Sequence, residues 1–170
     1  MPSSLFLPTG SHGGRITEDF THEDIHNNKV WRAGAFGIPG ANSTFSVLMV
    51  TPAAVVDTIH LNLRIETNGP GIARFYQGPN ASGGSSITPS NANLSFTGSV
   101  HSVLTSNPTM TASVGSQIGI TVIGSTGFKA AAGGETKSEL WMLKPEERYV
   151  LQFTADAAST RTVLKFIWSE

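Results

Sequence analysis

Residues 139–170 read ELWMLKPEERYVLQFTADAASTRTVLKFIWSE, and this stretch decides the fold. Three apolar runs are separated by two short polar interruptions, KPEE and DAAST, which are typical of turns between strands. Alternation in the last two runs places every other side chain on one face. We predict three side-by-side antiparallel strands that together bury six large side chains: Tyr149, Leu151, Phe153, Leu164, Phe166 and Trp168. Each contributes about 1.5–3 kcal/mol on leaving water, and burial of the last strand would hold the end of the chain without a tail.

The same alternation is clearest in DTIHLNLRIET, residues 57–67. One face carries Ile59, Leu61, Leu63 and Ile65, and the other carries Thr58, His60, Asn62, Arg64 and Glu66. Such a strand belongs to a sheet with one dry face and one wet or partner-facing face. The following Asn68-Gly69 is typical of a tight hairpin with positive φ angles, so we expect IARFYQ, residues 72–77, to return as the paired strand.

The rest of the chain also reads as strands and loops. TFSVLMV is a strand ended by Pro52, and residues 78–107 form a long excursion with short edge strands expected near Ile87 and at 94–96. No stretch predicts a long helix. We therefore predict an all-β protein, an antiparallel β-sandwich of seven or eight strands that is jelly-roll-like, with an open barrel as the alternative. The sandwich domain is predicted at residues 45–170, after an N-terminal arm and leading segment at 1–44.

The N-terminal arm contains an apolar cluster, LFLP, between flexible residues. These side chains gain stability only where they are buried, either on the surface of their own domain or on a neighbouring subunit. We predict that the arm and its vicinity form an interface with neighbouring subunits through six side chains: Leu5, Phe6, Leu7, Ile16, Phe20 and Trp31.

Composition excludes several classes of function. The 170 residues include 11 basic and 12 acidic side chains for a net charge of −1, so nucleic acid and membrane surfaces are not expected partners. There is no cysteine to form disulfides or thiolate metal sites. Only 14% of residues are charged, which suits contact with other proteins because charge is costly to desolvate. The start lacks the pattern of a signal peptide, so we expect synthesis in a cytoplasm.

No candidate for catalysis is convincing. His22, Glu23 and His26 have the H-E-x-x-H spacing of a zinc motif, with both histidines on one helix face, but the surrounding sequence is poorly helical, and we favour a hydrogen-bonding role. His60, with Asp57 nearby, has no nucleophile elbow to complete a triad. GSTGFK, residues 124–129, lacks the spacing of a phosphate-binding loop. We predict no enzyme, no cofactor and no metal.

Several segments, taken in order, resemble a family of tailed-bacteriophage capsid decoration proteins, also called cement or head accessory proteins. THEDIHNNKVWRA resembles the segment that opens the family, and SVLMVTPAAVVDTIHLNLRIET resembles its first sheet strands. FYQGPNASGGSSITPSNANL is similar to its long loop, and SELWMLKPEERYVLQFTA with VLKFIWSE is similar to its closing strands. The likeness spans roughly residues 20–170. It departs at Gln77, where the family has glutamate, and at Ser169, where it has tyrosine.

The resemblance implies a jelly-roll protein on the outside of a virion, made in the host cytoplasm. Its expected partner is the major capsid protein, whose neighbouring subunits it would stabilise, and it is expected to form a homo-oligomer, a dimer or trimer. No catalytic residues come with the family. The alternative is a carbohydrate- or receptor-binding β-sandwich of a phage fibre, which needs exposed aromatic side chains such as Trp31. An enzyme would need a pocket that gathers His60 or His101 with a carboxylate.

Overall fold

A computed structural model describes residues 22–53, 58–124 and 135–170, with the backbone alone for 135–138. The elements in chain order are one short helix and thirteen strands: α1 (His22–His26), β1 (Val30–Gly37), β2 (Thr44–Val50), β3 (Ile59–Thr67), β4 (Gly71–Gln77), β5 (Ala81–Ser82), β6 (Ser85–Ile87), β7 (Ser90–Asn91), β8 (Val103–Ser106), β9 (Thr109–Met110), β10 (Ser116–Ile123), β11 (Glu135–Leu143), β12 (Arg148–Ala155) and β13 (Thr162–Ser169). No helix in the described part of the chain has the length and apolar character that crossing a bilayer requires.

Eight of these strands form an antiparallel β-sandwich. The first sheet has the order β11-β3-β13-β1, and the second has the order β10-β4-β12-β2. The chain changes sheet at every step from β1 to β4 and again from β10 to β13. This winding is the jelly roll that the sequence predicts.

Two details of the predicted pairing are wrong. β3 and β4 lie in different sheets, and neither Asn68 nor Gly69 has a positive φ, so this connection is a crossover and not a hairpin. The three final strands are likewise not side by side, because β3 separates β11 from β13 and β12 lies in the opposite sheet. Both errors have one physical reason: alternation specifies which face of a strand is buried, but not which strand lies beside it or which sheet it joins.

The predicted core is confirmed. All six side chains expected from β12 and β13 are buried, and so are Ile59, Leu61, Leu63 and Ile65 of β3. On the opposite face of β3, Asn62 is also buried, at 1% exposed, although the pattern places it with polar, solvated neighbours. Inward side chains of the two sheets therefore meet in one hydrophobic core.

The sandwich begins before residue 45. β1 pairs with β13 along its whole length, from Val30 opposite Ser169 to Gly37 opposite Thr162. Trp31 faces Trp168 in this pairing and is 6% exposed, so it belongs to the core of its own domain and not to an open surface. The other predicted interface side chains lie outside the described residues: Leu5, Phe6, Leu7, Ile16 and Phe20.

The segment between β4 and β10, which contains the excursion, adds short strands at the β1 edge of the first sheet and at the β2 edge of the second. β8 and β6 extend the second sheet beyond β2, and β7 extends the first sheet beyond β1. The edge strand predicted near Ile87 is confirmed as β6, whereas residues 94–96 form a turn and loop. The β5–β9 pair contributes Ala81 to a second small apolar cluster with Leu48 and Val150 of the second sheet.

Gly71 is the first residue of β4 and packs against the core. Its replacement by alanine is expected to lower the free energy of unfolding by about 1–3 kcal/mol, because the added methyl group overpacks the core. A Cβ atom there would lie 2.8 Å from Cε2 of Phe153 and would also press on the Thr154 carbonyl. Urea unfolding measures the change. The matched control is Gly34→Ala in β1, where the nearest atoms would lie 3.7 Å away. Equal losses in both variants would contradict the packing argument.

Candidate functional site

One lateral edge of the sandwich is formed by β10 and β11, the outermost strands of the two sheets. In the described part of the chain each pairs with a strand on one side only, so one row of backbone donors and acceptors on each faces outward. Thr121 of β10 donates a hydrogen bond to the Glu139 carboxylate of β11 and ties the two edges together. Such an edge is a template for pairing with another chain.

Large apolar side chains flank this edge. Leu140 and Met142 lie on the outer face of the first sheet at 44% and 71% exposed, and Ile120 and Val122 are exposed on the outer face of the second. We call these four side chains and the two strands the edge surface. Exposed apolar side chains grouped around an open strand edge are typical of a protein-binding surface.

The edge surface is held in place by a tryptophan that packs inward. The Trp141 ring lies 5.3 Å from the Phe75 ring, centroid to centroid. Gly119 makes room for it, because a Cβ atom there would approach Cζ2 of Trp141 to 2.9 Å. The register of β10 against β4 shifts at this point, between Gln117 and Gly119. The bulge thus lets β10 bend around the indole.

The turn between β11 and β12 is held by hydrogen bonds to the carboxylate of Glu147. Gln77 Nε2 donates to Glu147 Oε2 at 3.0 Å, and the Arg148 N–H donates to Oε1 at 2.9 Å. These hydrogen bonds lower the pKa of Glu147, the Gln77 bond most, because they favour the charged form. In the same turn, the Lys144 N–H donates to the Tyr149 hydroxyl, and burial raises the pKa of that phenol.

This arrangement predicts an acid-sensitive contribution to stability. A carboxyl whose pKa is lower when folded contributes stability above its unfolded pKa, about 4.5, and loses that contribution as pH falls through the folded value. Stability measured by urea unfolding is therefore expected to decline from pH 6 to pH 3. Glu147→Gln should reduce this decline modestly, because the group is largely solvated, whereas Glu146→Gln at the exposed neighbour should not. An unchanged decline in Glu147→Gln would overturn the assignment.

The histidines considered from the sequence do not assemble a catalytic centre in the described residues. His22 and His26 share α1, with their Nε2 atoms 2.8 Å apart, and no group of three or more His, Cys, Asp and Glu is placed to hold a metal in the part of the chain that is described. His60 is exposed beside Met142 of the neighbouring strand. Its proposed partner, Asp57, lies outside the described residues.

His101 does meet a carboxylate, but not as a triad. Its Nδ1 lies 3.7 Å from Glu170 Oε1, and Ser102 Oγ donates to Glu170 Oε2 at 2.5 Å. The serine proton therefore points to the acid and not to the imidazole, which a serine nucleophile would need as its base.

Glu170 instead has a structural role that the sequence did not predict: its carboxylate holds a distant loop to the end of β13. We call this contact the Glu170 latch. Its side chain is 1% exposed. Four donors surround the carboxylate: His101 N at 2.6 Å, Ser102 N at 3.2 Å, Ser102 Oγ at 2.5 Å and Trp168 Nε1 at 3.2 Å. The latch joins the excursion to the end of β13. No periodicity signals such a contact, because three of its four donors come from a loop far away in sequence.

Fold and surface together define an antiparallel jelly-roll β-sandwich with an open, apolar strand edge. Comparisons with family models, with curated proteins and with solved structures gave no significant match to this chain.

Proposed function

We propose that this chain is a structural virion protein that binds the outside of a bacteriophage capsid and stabilises neighbouring subunits of the major capsid protein. The proposal draws on the likeness of residues 20–170 to capsid decoration proteins and on the low share of charged residues in the chain, 14%. A protein that binds only the assembled shell stabilises it by mass action. Many copies on one lattice multiply the effect.

The observation that carries the proposal is the edge surface. Two open strand edges offer backbone hydrogen bonds, and the exposed side chains beside them, among them Met142 at 71%, offer apolar area. Burial of such side chains is the main source of affinity at protein interfaces. In this proposal the edge surface contacts a capsid subunit or a second copy of the chain within a dimer or trimer.

Binding to undecorated heads of the phage that encodes the chain tests the edge surface. Wild type is expected to co-sediment with heads at a constant copy number. The Leu140→Asp/Met142→Asp double variant should lose most binding, because it places two charges in an apolar contact. Leu94→Asp is the matched control, since Leu94 is 88% exposed in a loop. Unchanged binding by the folded double variant would exclude the edge surface from the contact.

Deletion of residues 1–20 tests the N-terminal arm separately. The arm was assigned to the interface because Leu5, Phe6 and Leu7 need burial against some surface. The deleted chain is expected to bind heads far more weakly than wild type in the same sedimentation assay. Affinity equal to wild type would remove the arm from the interface and leave the edge surface untouched.

The tryptophans do not favour the carbohydrate-binding alternative. Trp31 and Trp168 are buried in the core, and Trp141 packs against Phe75. Sugar recognition by stacking needs an exposed ring face, as aromatic contacts in general require an accessible surface. Trp31 and Trp168 present no such face and Trp141 is only partly exposed, so the tryptophans do not support the alternative.

A further inference from the structure

Two histidines meet on the short helix that precedes β1. His22 and His26 are four residues apart in α1, and their Nε2 atoms lie 2.8 Å from each other. The ring centroids are 4.3 Å apart and the ring planes are nearly perpendicular, at 85°. At this distance one Nε2 donates its proton and the other accepts it. A single shared proton therefore occupies the space between two nitrogen atoms that point at each other.

The space between these nitrogens is close to the size that a transition-metal cation needs. Zn²⁺ binds histidine nitrogens at about 2.0–2.1 Å in tetrahedral geometry, which places two ligating nitrogens about 3.4 Å apart. The pair at 2.8 Å needs to open only slightly to reach this separation. Both side chains are exposed, so small rotations of the rings meet no packed neighbour that would oppose them. Positions four residues apart share one helix face, which is the spacing of histidine pairs in helical zinc motifs.

The helix that carries the pair ends in a well-formed cap. The backbone of Asn28 is in the left-handed region, with φ at 64°, and its N–H donates to the Ile25 carbonyl at 3.0 Å. The Lys29 N–H donates to the Asp24 carbonyl at 3.1 Å. These two bonds form a Schellman motif, which satisfies carbonyl groups at the end of a helix. A helix of five residues is not stable in isolation, so this cap and its attachment to the domain hold the turn in shape.

That attachment runs through Asn28. Asn91 of β7, which is 7% exposed, donates from Nδ2 to the Asn28 carbonyl at 2.7 Å. Asn93 donates from Nδ2 to Asn28 Oδ1 at 2.8 Å. The helix is therefore fixed to the edge of the first sheet two residues after His26. A ligand pair held on a fixed element binds at a smaller entropic cost than the same pair on a free chain.

We propose that His22 and His26 chelate a divalent transition-metal cation, Zn²⁺ or one of similar chemistry, through their Nε2 atoms, with water in the remaining positions. Imidazole suits such cations, whereas Mg²⁺ and Ca²⁺ prefer oxygen ligands. In the described residues no third His, Cys, Asp or Glu is placed to join the pair. Catalytic zinc sites have three protein ligands, so the site binds a metal and performs no reaction. The inference departs from the expectation of no metal drawn from the sequence, and it does not require capsid binding.

Isothermal titration calorimetry of Zn²⁺ into the full chain, prepared without a histidine tag, tests the site. We expect one cation per chain and no binding of Mg²⁺ under the same conditions. His22→Ala and His26→Ala should each weaken Zn²⁺ binding about tenfold or more, because the second nitrogen binds at a high effective concentration once the first is bound. Unchanged affinity in either variant would overturn the proposal.

Two further histidine variants are the matched controls. His60→Ala removes an exposed histidine of β3, and His12→Ala removes the histidine nearest to the pair in sequence. Each should leave the affinity for Zn²⁺ as it is in wild type. A loss in either control as large as that in His22→Ala would show that the cation is not held by the helical pair alone, and would reject the two-histidine site.

Nuclear magnetic resonance of the imidazole nitrogens identifies the ligating atoms. On addition of Zn²⁺ the Nε2 resonances of His22 and His26 should shift together, while those of His60 should stay in place. Amide hydrogen exchange at Asn27, whose N–H donates to the Glu23 carbonyl at 2.9 Å, should slow, because a cation across one turn stabilises the helix. A shift at only one of the two histidines, or unchanged exchange at Asn27, would contradict chelation across the turn.

Discussion

The Trp168→Ala variant is expected to lose about 3–5 kcal/mol of unfolding free energy, the range found when large aromatic side chains are removed from cores. Trp168 is 0% exposed and stands between Trp31 of β1 and Leu61 of β3 in the first sheet. Its removal leaves a cavity at the centre of three strands and also removes a donor to Glu170. Urea unfolding followed by circular dichroism measures the loss.

Two further variants show that burial is the cause. Phe36→Ala removes an aromatic side chain from β1 that is 60% exposed, and it should change stability by less than about 1 kcal/mol. Trp168→Phe keeps most of the core volume and should fall between the two. A loss in Trp168→Ala no larger than in Phe36→Ala would mean that this side chain is not a core residue in solution.

Replacement of Glu170 by alanine is expected to lower stability by about 2–4 kcal/mol, because buried donors left without an acceptor cost about 1–3 kcal/mol each before water relieves part of the penalty. The carboxylate accepts from four groups, and its loss releases the loop at His101 and Ser102 from β13. Amide hydrogen exchange at His101 and Ser102 should rise sharply, and urea unfolding gives the overall change.

The control for this latch is Glu146→Ala, an exposed glutamate in the turn between β11 and β12, which should stay within about 0.5 kcal/mol of wild type. Glu170→Gln retains acceptor capacity but adds N–H donors opposite existing donors, so it should be destabilised as well. Wild-type exchange rates at both amides in Glu170→Ala would show that the carboxylate does not hold the loop.

Burial along individual strands was predictable from the sequence. The alternation in β3 and β13 identifies the inward side chains correctly, because a strand places successive residues on opposite faces whatever its neighbours are. The same local rule fails for Asn62, whose burial on the outer face of β3 the alternation does not predict. It fails also for Trp31, which stands in a segment without a clear period and is nonetheless paired into the first sheet.

The candidate sites could be predicted only in part. The low share of charged residues suits contact with other proteins, and it is a property of composition that needs no structure. The edge surface depends on which strands are outermost, and the contacts of Glu170 join a loop to a strand far away in the chain. Neither has a sequence motif, because side chains from distant segments meet only after the sheets have formed.

The sequence by itself determined that this chain folds into an all-β sandwich and which side chains of β3, β12 and β13 enter its core. Those outcomes follow from period-2 alternation, turn residues and the lack of helical pattern, all of which act over a few residues. Only the tertiary structure decided that successive strands occupy opposite sheets and that Glu170 holds a distant loop to the end of β13. These depend on contacts between segments separated by tens of residues, and an apolar strand face alone does not specify its partner.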